Sequence, residues 1–260
     1  MAARITRAKK KISGAKIPYR VPPPEELPER LTAVLAVVHL LFTTGHTAPA
    51  GADLVRCDLV SRALDLGRML RSLLPNDPGV AGLLALILLT DSRRATRTDR
   101  TGRMVLLQDQ DRSQWNAEAI REGLALVGQS INTGGPDRYA LQAAIAAVHA
   151  RATTWQDTDW DEVVRLYDTL CTAWPSPVVA LNRAVAVSLA RGPQAGLEAL
   201  AEIEDDPALR GYGYLPGAKA DMLARLGRDA EAAASYESAI ALTDNDVERD
   251  FLRARLTQLR

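Results

Sequence analysis

Cysteine is nearly absent from this 260-residue chain. Cys57 and Cys171 are the two copies, far apart and outside any CxxC pair, which excludes a disulfide framework and a four-thiolate zinc site. Free thiols in a reducing compartment are the expectation. Aromatic residues are scarce as well, at 5%, while apolar residues reach 47%. With Ala, Leu and Arg prominent, that balance favours packed helices over sheets. Long hydrophobic runs are also missing: the longest, 33–42 and 80–89, fall well short of the ~20 residues a membrane helix needs. No charged start leads into an apolar stretch and a small-residue cleavage site, so the reading is cytoplasmic, with no membrane partner. The phosphate-cradling GxxxxGKS/T, the zincin HExxH, the GxSxG elbow and GxGxxG do not occur, and the three histidines are isolated. Neither a cofactor nor a metal is implied, and no enzymatic activity is expected. His39 and His149 lie in apolar helical stretches and are expected as core residues with a hydrogen-bond partner.

What the sequence does contain is a repeat. Val163 and Ala232 are 69 residues apart, as are Tyr167 and Tyr236. A middle copy has Gly192 35 residues before Gly227, and places Leu197 where Val163 and Ala232 stand. A period of about 34 with small or apolar residues at fixed offsets is the pattern of tetratricopeptide (TPR) helical hairpins, each of which must stack on a neighbour to bury its apolar face. The expected architecture is all-α: a helical bundle over 25–132, three TPR-like hairpins over 136–245, and a capping helix over 246–260. The expected hairpin helices are 136–152 with 158–174, 177–191 with 193–203, and 215–226 with 229–243. Asp159 with Glu162 reads as a capping box, Ser176 as an N-cap ahead of Pro177, and Ser113 as the N-cap of a helix over 114–132. Residues 98–110 read as extended or as a surface linker.

Charge is balanced overall, with 32 basic and 32 acidic side chains, but residues 1–20 hold seven basic ones and no acid. A basic leader, 1–16, is therefore followed by a Pro-rich linker, 17–24, and an acidic body. Nucleic-acid contact is confined to the leader.

Three sets of residues are candidates for interaction. Asp109, Gln110, Asp111, Arg112 and Trp115 form the densest polar cluster beside an aromatic. They read either as a recognition surface or ion-pair network joining the two halves, or as a loop with a cap and a packed Trp. Asn182 and Arg183, with Lys219 and Arg225, read either as the lining of a groove for an acidic partner peptide or as a solvated helix face. Phe251, Arg253 and Arg255 lie on the last helix.

The leader Arg4-Ile5-Thr6-Arg7-Ala8-Lys9-Lys10-Lys11-Ile12 resembles the end of region 4 of an extracytoplasmic-function sigma factor, an R-x-x-R-A-K-x-K-I pattern. Downstream, the chain is similar to the group of these factors that carries a TPR-like C-terminal extension. The resemblance runs through Ile17-Pro18-Tyr19-Arg20-Val21-Pro22, Asp91-Ser92-Arg93-Arg94, Asp109-Gln110-Asp111-Arg112-Ser113-Gln114-Trp115, Pro177-Val178-Val179-Ala180-Leu181-Asn182-Arg183, and the stretches 31–37, 142–150 and 248–256. It implies an extension that regulates an alternative sigma factor in cis during bacterial transcription initiation, with a need for the Arg-rich last helix. Its implied partners are RNA polymerase or the sigma regions missing here. Arg4, Arg7, Lys9, Lys10 and Lys11 would be a remnant of the DNA-contacting helix, giving weak non-specific DNA binding at most. Phe42-Thr43-Thr44-Gly45-His46 stands where the group reads F-N-E-G-Y. Region 2 and the first helices of region 4 have no counterpart, so the chain reads as the C-terminal part of such a factor. The alternative is a free-standing TPR-like scaffold that binds a partner peptide without promoter recognition.

Overall fold

A helical stretch with apolar side chains all round its circumference has no solvent face to offer, and must be surrounded. Helix α3 (Pro78–Asp91) is that stretch, and every residue from Gly79 to Leu89 is buried. The computed structural model describes residues 6–7, 11, 14, 23–134 and 137–259. Among them the expected all-α class is the fold observed: eleven α-helices, with one two-residue parallel strand pair and one isolated bridge.

Two compact units are distinguished, 1–36 and 37–260, and the division falls inside helix α1 (Leu27–His46). In the first unit Arg30 pairs with Glu26 at 2.6 Å and the Thr32 hydroxyl donates to the Pro28 carbonyl. Arg7 and Lys11 are helical and exposed. Arg4, Lys9, Lys10 and the linker stretch 17–22 lie outside the described residues.

In the second unit, the latter part of α1 buries Val38 and Phe42. By length and composition α1 could cross a membrane, with a mean hydropathy of 1.3, although no unbroken apolar run in the sequence suggested it. Strand β1 (Ala50–Gly51) and helix α2 (Cys57–Leu73) follow. Helix α3 then packs against α2, α4 (Ala117–Gly134) and α5 (Arg138–Arg151). Its N-terminus is fixed by Asp77, which accepts from Val80 N at 2.9 Å, and by Pro78 at the first helical position. A Cβ on Gly82 would lie 2.9 Å from Ala140 N, so α3 meets the α5 backbone there directly, and one on Gly123 would lie 2.6 Å from Leu89 Cγ, so α4 leaves room for that α3 side chain.

Between α3 and α4 the chain makes a small antiparallel bridge, Thr98 with Met104, around a turn organised by Asp99. The cap of α4 differs from expectation. Residues 112–114 form a separate 3-10 turn, and Asn116, not Ser113, accepts from the amides of Glu118 and Ala119.

The remaining helices pair in chain order: α5 with α6 (Trp160–Ala173), α7 (Pro177–Arg191) with α8 (Pro193–Ala201), and α9 (Tyr214–Arg225) with α10 (Asp229–Leu242). One core cluster joins Leu141 and Ile145 of α5 to Val163 and Val164 of α6 and Val187 of α7. The next joins Leu181 and Ala184 of α7 to Leu200 of α8 and Met222 of α9. Each hairpin thus shares its core with the following one. Asp159 caps α6 through Glu162 N at 2.7 Å, but the Glu162 carboxylate turns to Arg151 rather than closing the box. Ser176 precedes Pro177 without a side-chain cap bond.

The matched positions count from the helix starts. Four residues after the caps Asp159, Gly192 and Arg228 come Val163, Gly196 and Ala232, all buried. Eight residues after the caps come Tyr167, Leu200 and Tyr236. The middle copy is therefore one residue out of the expected register: Gly196 occupies the crossing, where a Cβ would meet Ser188 Cβ at 2.4 Å. Leu197 is half-buried beside it.

Helix α11 (Asp246–Gln258) packs on α10, and the residues leading into it form strand β2 (Asp244–Asn245), parallel to β1. The buried Asn245 amide donates to the carbonyls of Ala48 at 3.0 Å and Asp53 at 2.9 Å, while its carbonyl oxygen caps α11 through the amides of Val247 and Glu248. The last helix is thereby tied to the β1 loop as well as to the hairpin beside it.

Candidate functional site

The segment 109–115 is held from within. Asp111 accepts from the Ser113 amide at 3.0 Å and hydroxyl at 2.6 Å, and from Gln114 Nε2 at 2.8 Å, which keeps its carboxyl below the usual range. Asp109 is exposed. The turn that Asp111 builds lays Arg112 across the C-terminal end of α5. There one guanidinium nitrogen donates to the carbonyls of His149 and Ala152, both at 2.7 Å, and the other to the Thr158 hydroxyl at 3.3 Å. Terminal carbonyls of a helix lack intrahelical partners and carry partial negative charge, so a cation fits there for two reasons. The same guanidinium stacks 4.8 Å over Trp115. Trp115 is buried, and its indole donates to the Thr96 hydroxyl, which in turn donates to Gln110 Oε1; Gln110 Nε2 donates to the Val105 carbonyl. The segment joins the turn before α4 to the end of α5.

The other candidates are also engaged by this chain itself. Arg183 on α7 reaches Asp168 on α6 at 2.5 Å. Lys219 reaches Glu204, and Arg225 donates to Ser188 Oγ. Arg255 bonds Asp221 on α9 at 3.0 Å and the Tyr236 hydroxyl on α10 at 3.4 Å. Arg253 pairs with Asp250 at the surface, Phe251 is half-buried, and Asn182 is exposed. The 109–115 set has partners of its own, while Arg225 and Arg255 of the other two sets share Asp221, at 4.0 and 3.0 Å.

A cavity of about 240 Å³ lies beside the Arg112–Trp115 buttress, among α3, α5 and α6. Leu89, Ile145 and Trp115 give it apolar walls; Arg93, His149 and Tyr167 are its titratable side chains. Burial, with Arg93 and Arg112 adding repulsion, lowers His149 to about 4, so its ring is neutral at pH 7. Contrary to expectation, the buried Nδ1 has no hydrogen-bond partner. Burial raises Tyr167 to about 12. Arg93 is lowered to about 10 by burial first and by Arg97 second, and remains protonated at neutral pH. Arg97 donates to the His46 carbonyl and the Thr47 hydroxyl instead. Sequence reasoning missed this cavity. Its visible signal was an arginine placed four residues after the apolar run that ends at Leu89.

The model of a family of unknown function (DUF6596) matches residues 30–131, which run from α1 into α4. An uncharacterized protein of Rhizobium meliloti (strain 1021) is 42% identical over 259 residues, a match that takes in 100% of this chain and 61% of that protein. The chain thus spans about three fifths of the length of the curated relative it matches.

Proposed function

We propose that this chain is the regulatory extension of an alternative, extracytoplasmic-function-like sigma factor, acting in the cytoplasm in bacterial transcription initiation. Its partners in that role are RNA polymerase or the promoter-binding regions of the same factor. The observation that carries the reading is the tie between the two ends of the second unit: Asn245, at the entry to the Arg-rich last helix, is bonded to the β1 loop. An extension that regulates in cis needs its last helix coupled to the body that faces the rest of the factor. That coupling is mechanical here, because a pull on α11 is carried through the buried Asn245 amide to the Ala48 carbonyl that accepts from it, 197 positions earlier in the chain. The residue strings at 91–94, 109–115 and 177–183, and the alignment with part of a longer protein, support the same reading. The hairpins supply a surface for protein contact, and the basic leader supplies phosphate-directed charge without sequence readout.

Genomic DNA read in frame upstream of Met1 tests the proposal. Continuous codons for promoter-binding regions support it. A ribosome-binding site immediately before Met1 favours a free-standing scaffold. In the longer reading frame, Asn245→Ala is expected to lower promoter-reporter activity by more than the accompanying fall in protein level, followed by immunoblot, accounts for.

A further inference from the structure

A buried cation is tolerated when a counter-ion or a set of acceptors replaces its water. Arg93 is half-buried and has neither: among the described residues its guanidinium makes no side-chain hydrogen bond or ion pair, water is its one source of compensation, and its charged neighbour is another cation, Arg97. Arginine cannot escape by releasing its proton. The cavity that it lines contains no aspartate or glutamate. A second donor in the same cavity, the Tyr167 hydroxyl, also has no acceptor among the described residues. Every other arginine near this end of α3 is satisfied, Arg94 by Asp91, Arg97 by backbone and Thr47, and Arg112 by the end of α5. One guanidinium and one hydroxyl therefore point to a ligand rather than to a generally basic surface.

We propose that this cavity binds a small organic carboxylate, its anion held by Arg93 with Tyr167 as second donor and its apolar body lying against Leu89, Ile145 and Trp115. A planar carboxylate matches a guanidinium fork and carries the single charge that one arginine neutralises. Phosphate would bring more charge than the lining balances and would leave the apolar walls uncovered. The site goes beyond the transcriptional reading and does not depend on it.

Benzoate is the probe. Isothermal titration into the 260-residue chain is expected to give one saturable site, with Kd roughly 10⁻⁵–10⁻³ M, and no comparable binding of benzyl alcohol or inorganic phosphate. Arg93→Met is expected to weaken benzoate by roughly ten-fold or more, as loss of a charge-assisted bond requires, and to melt close to wild type without ligand, since the half-buried guanidinium has no hydrogen-bond or ion-pair partner among the described residues to lose. Ala146→Leu, which narrows the cavity without altering charge, is expected to block benzoate as well, and keeps the test open should Arg93→Met misfold. Absence of benzoate binding, equal binding by Arg93→Met or Ala146→Leu, or tighter binding of phosphate or benzyl alcohol than of benzoate would each overturn the assignment.

Discussion

Asn245 and Ala48 stand 197 positions apart in the chain and are joined by a buried 3.0 Å hydrogen bond from the Asn245 amide to the Ala48 carbonyl. The same side chain serves Asp53 with its amide and two helix-start amides with its oxygen, so all its polar capacity on both sides is in use. Asn245→Ala removes a cap and leaves two carbonyls without their donor, and should cost about 2–4 kcal/mol in urea denaturation. Asn245→Asp should fail to restore it, because a carboxylate keeps the cap but sets negative charge against two carbonyl oxygens. A stable Asp variant would mean that the cap, not the tie to the β1 loop, is what matters.

Arg112 offers a second test. Its partners are carbonyls at the end of α5 and a hydroxyl beyond it, which a fork can reach together and a single ammonium cannot. Arg112→Ala should lose about 1.5–3 kcal/mol of stability, and Arg112→Lys should recover less than half of that. Thermal melts of the three proteins check the order. An Arg112→Ala protein as stable as wild type would return the residue to the role of a recognition surface.

The sequence declared its helix boundaries where the deciding chemistry is local. Pro177, Pro193 and Asp159 act on their own or the next turn, and helices start where they say. Ser113 and Asn116 are equally good caps by residue type. The choice of Asn116 follows from Arg112 reaching α5, a contact 37 or more residues away that no local pattern encodes. The repeat was visible as a period, but counting by period put Leu197 at the middle crossing. Helix packing counts from the helix start, which puts Gly196 there. The cavity was not legible because its main feature is what Arg93 lacks, and the lack of a counter-ion is a property of the assembled fold. The candidates on α7, α9 and α11 were legible as charges; that Asp168, Glu204 and Asp221 neutralise them was not.

Gly196 gives the register its sharpest test. Its place at the crossing of α8 with α7 and α9 leaves 2.4 Å to Ser188 Cβ and 2.9 Å to Met222 Sδ for any added methyl. Gly196→Ala gains helix propensity of about 1 kcal/mol, yet the overlap with a backbone-fixed Cβ should outweigh it and leave a net loss of about 1–3 kcal/mol. Leu197→Ala, one position on and half-buried, should cost less. Chemical denaturation of the pair decides between the two registers, and a more stable Gly196→Ala protein would restore the one counted by period.

Acid stability follows from the histidines. His39 and His149 are each lowered from 6.5 to about 4, chiefly by burial and secondarily by cations, Arg138 for His39 and Arg93 with Arg112 for His149. His46 is lowered by burial first and then by Arg97, Arg93 and Arg94. In the unfolded chain these rings take up protons near their ordinary value, so between about 6.5 and 4 the unfolded state binds more protons than the folded one. Stability must therefore be full above about 6.5 and fall as pH drops toward 4, by up to about 1.4 kcal/mol per pH unit for each ring. Carboxylates such as Asp99, held well below their usual range by the Thr101 and Arg103 donors, add to the loss only at lower pH. Denaturation free energies at pH 7.5, 6.5, 5.5 and 4.5 should thus be flat over the first interval and decline over the next two. Imidazole proton shifts should show His39 and His149 still neutral at pH 5.5. A ring titrating near 6.5 in the folded protein would remove that histidine from the decline, and for His149 it would also mean that water reaches the cavity wall beside Arg93.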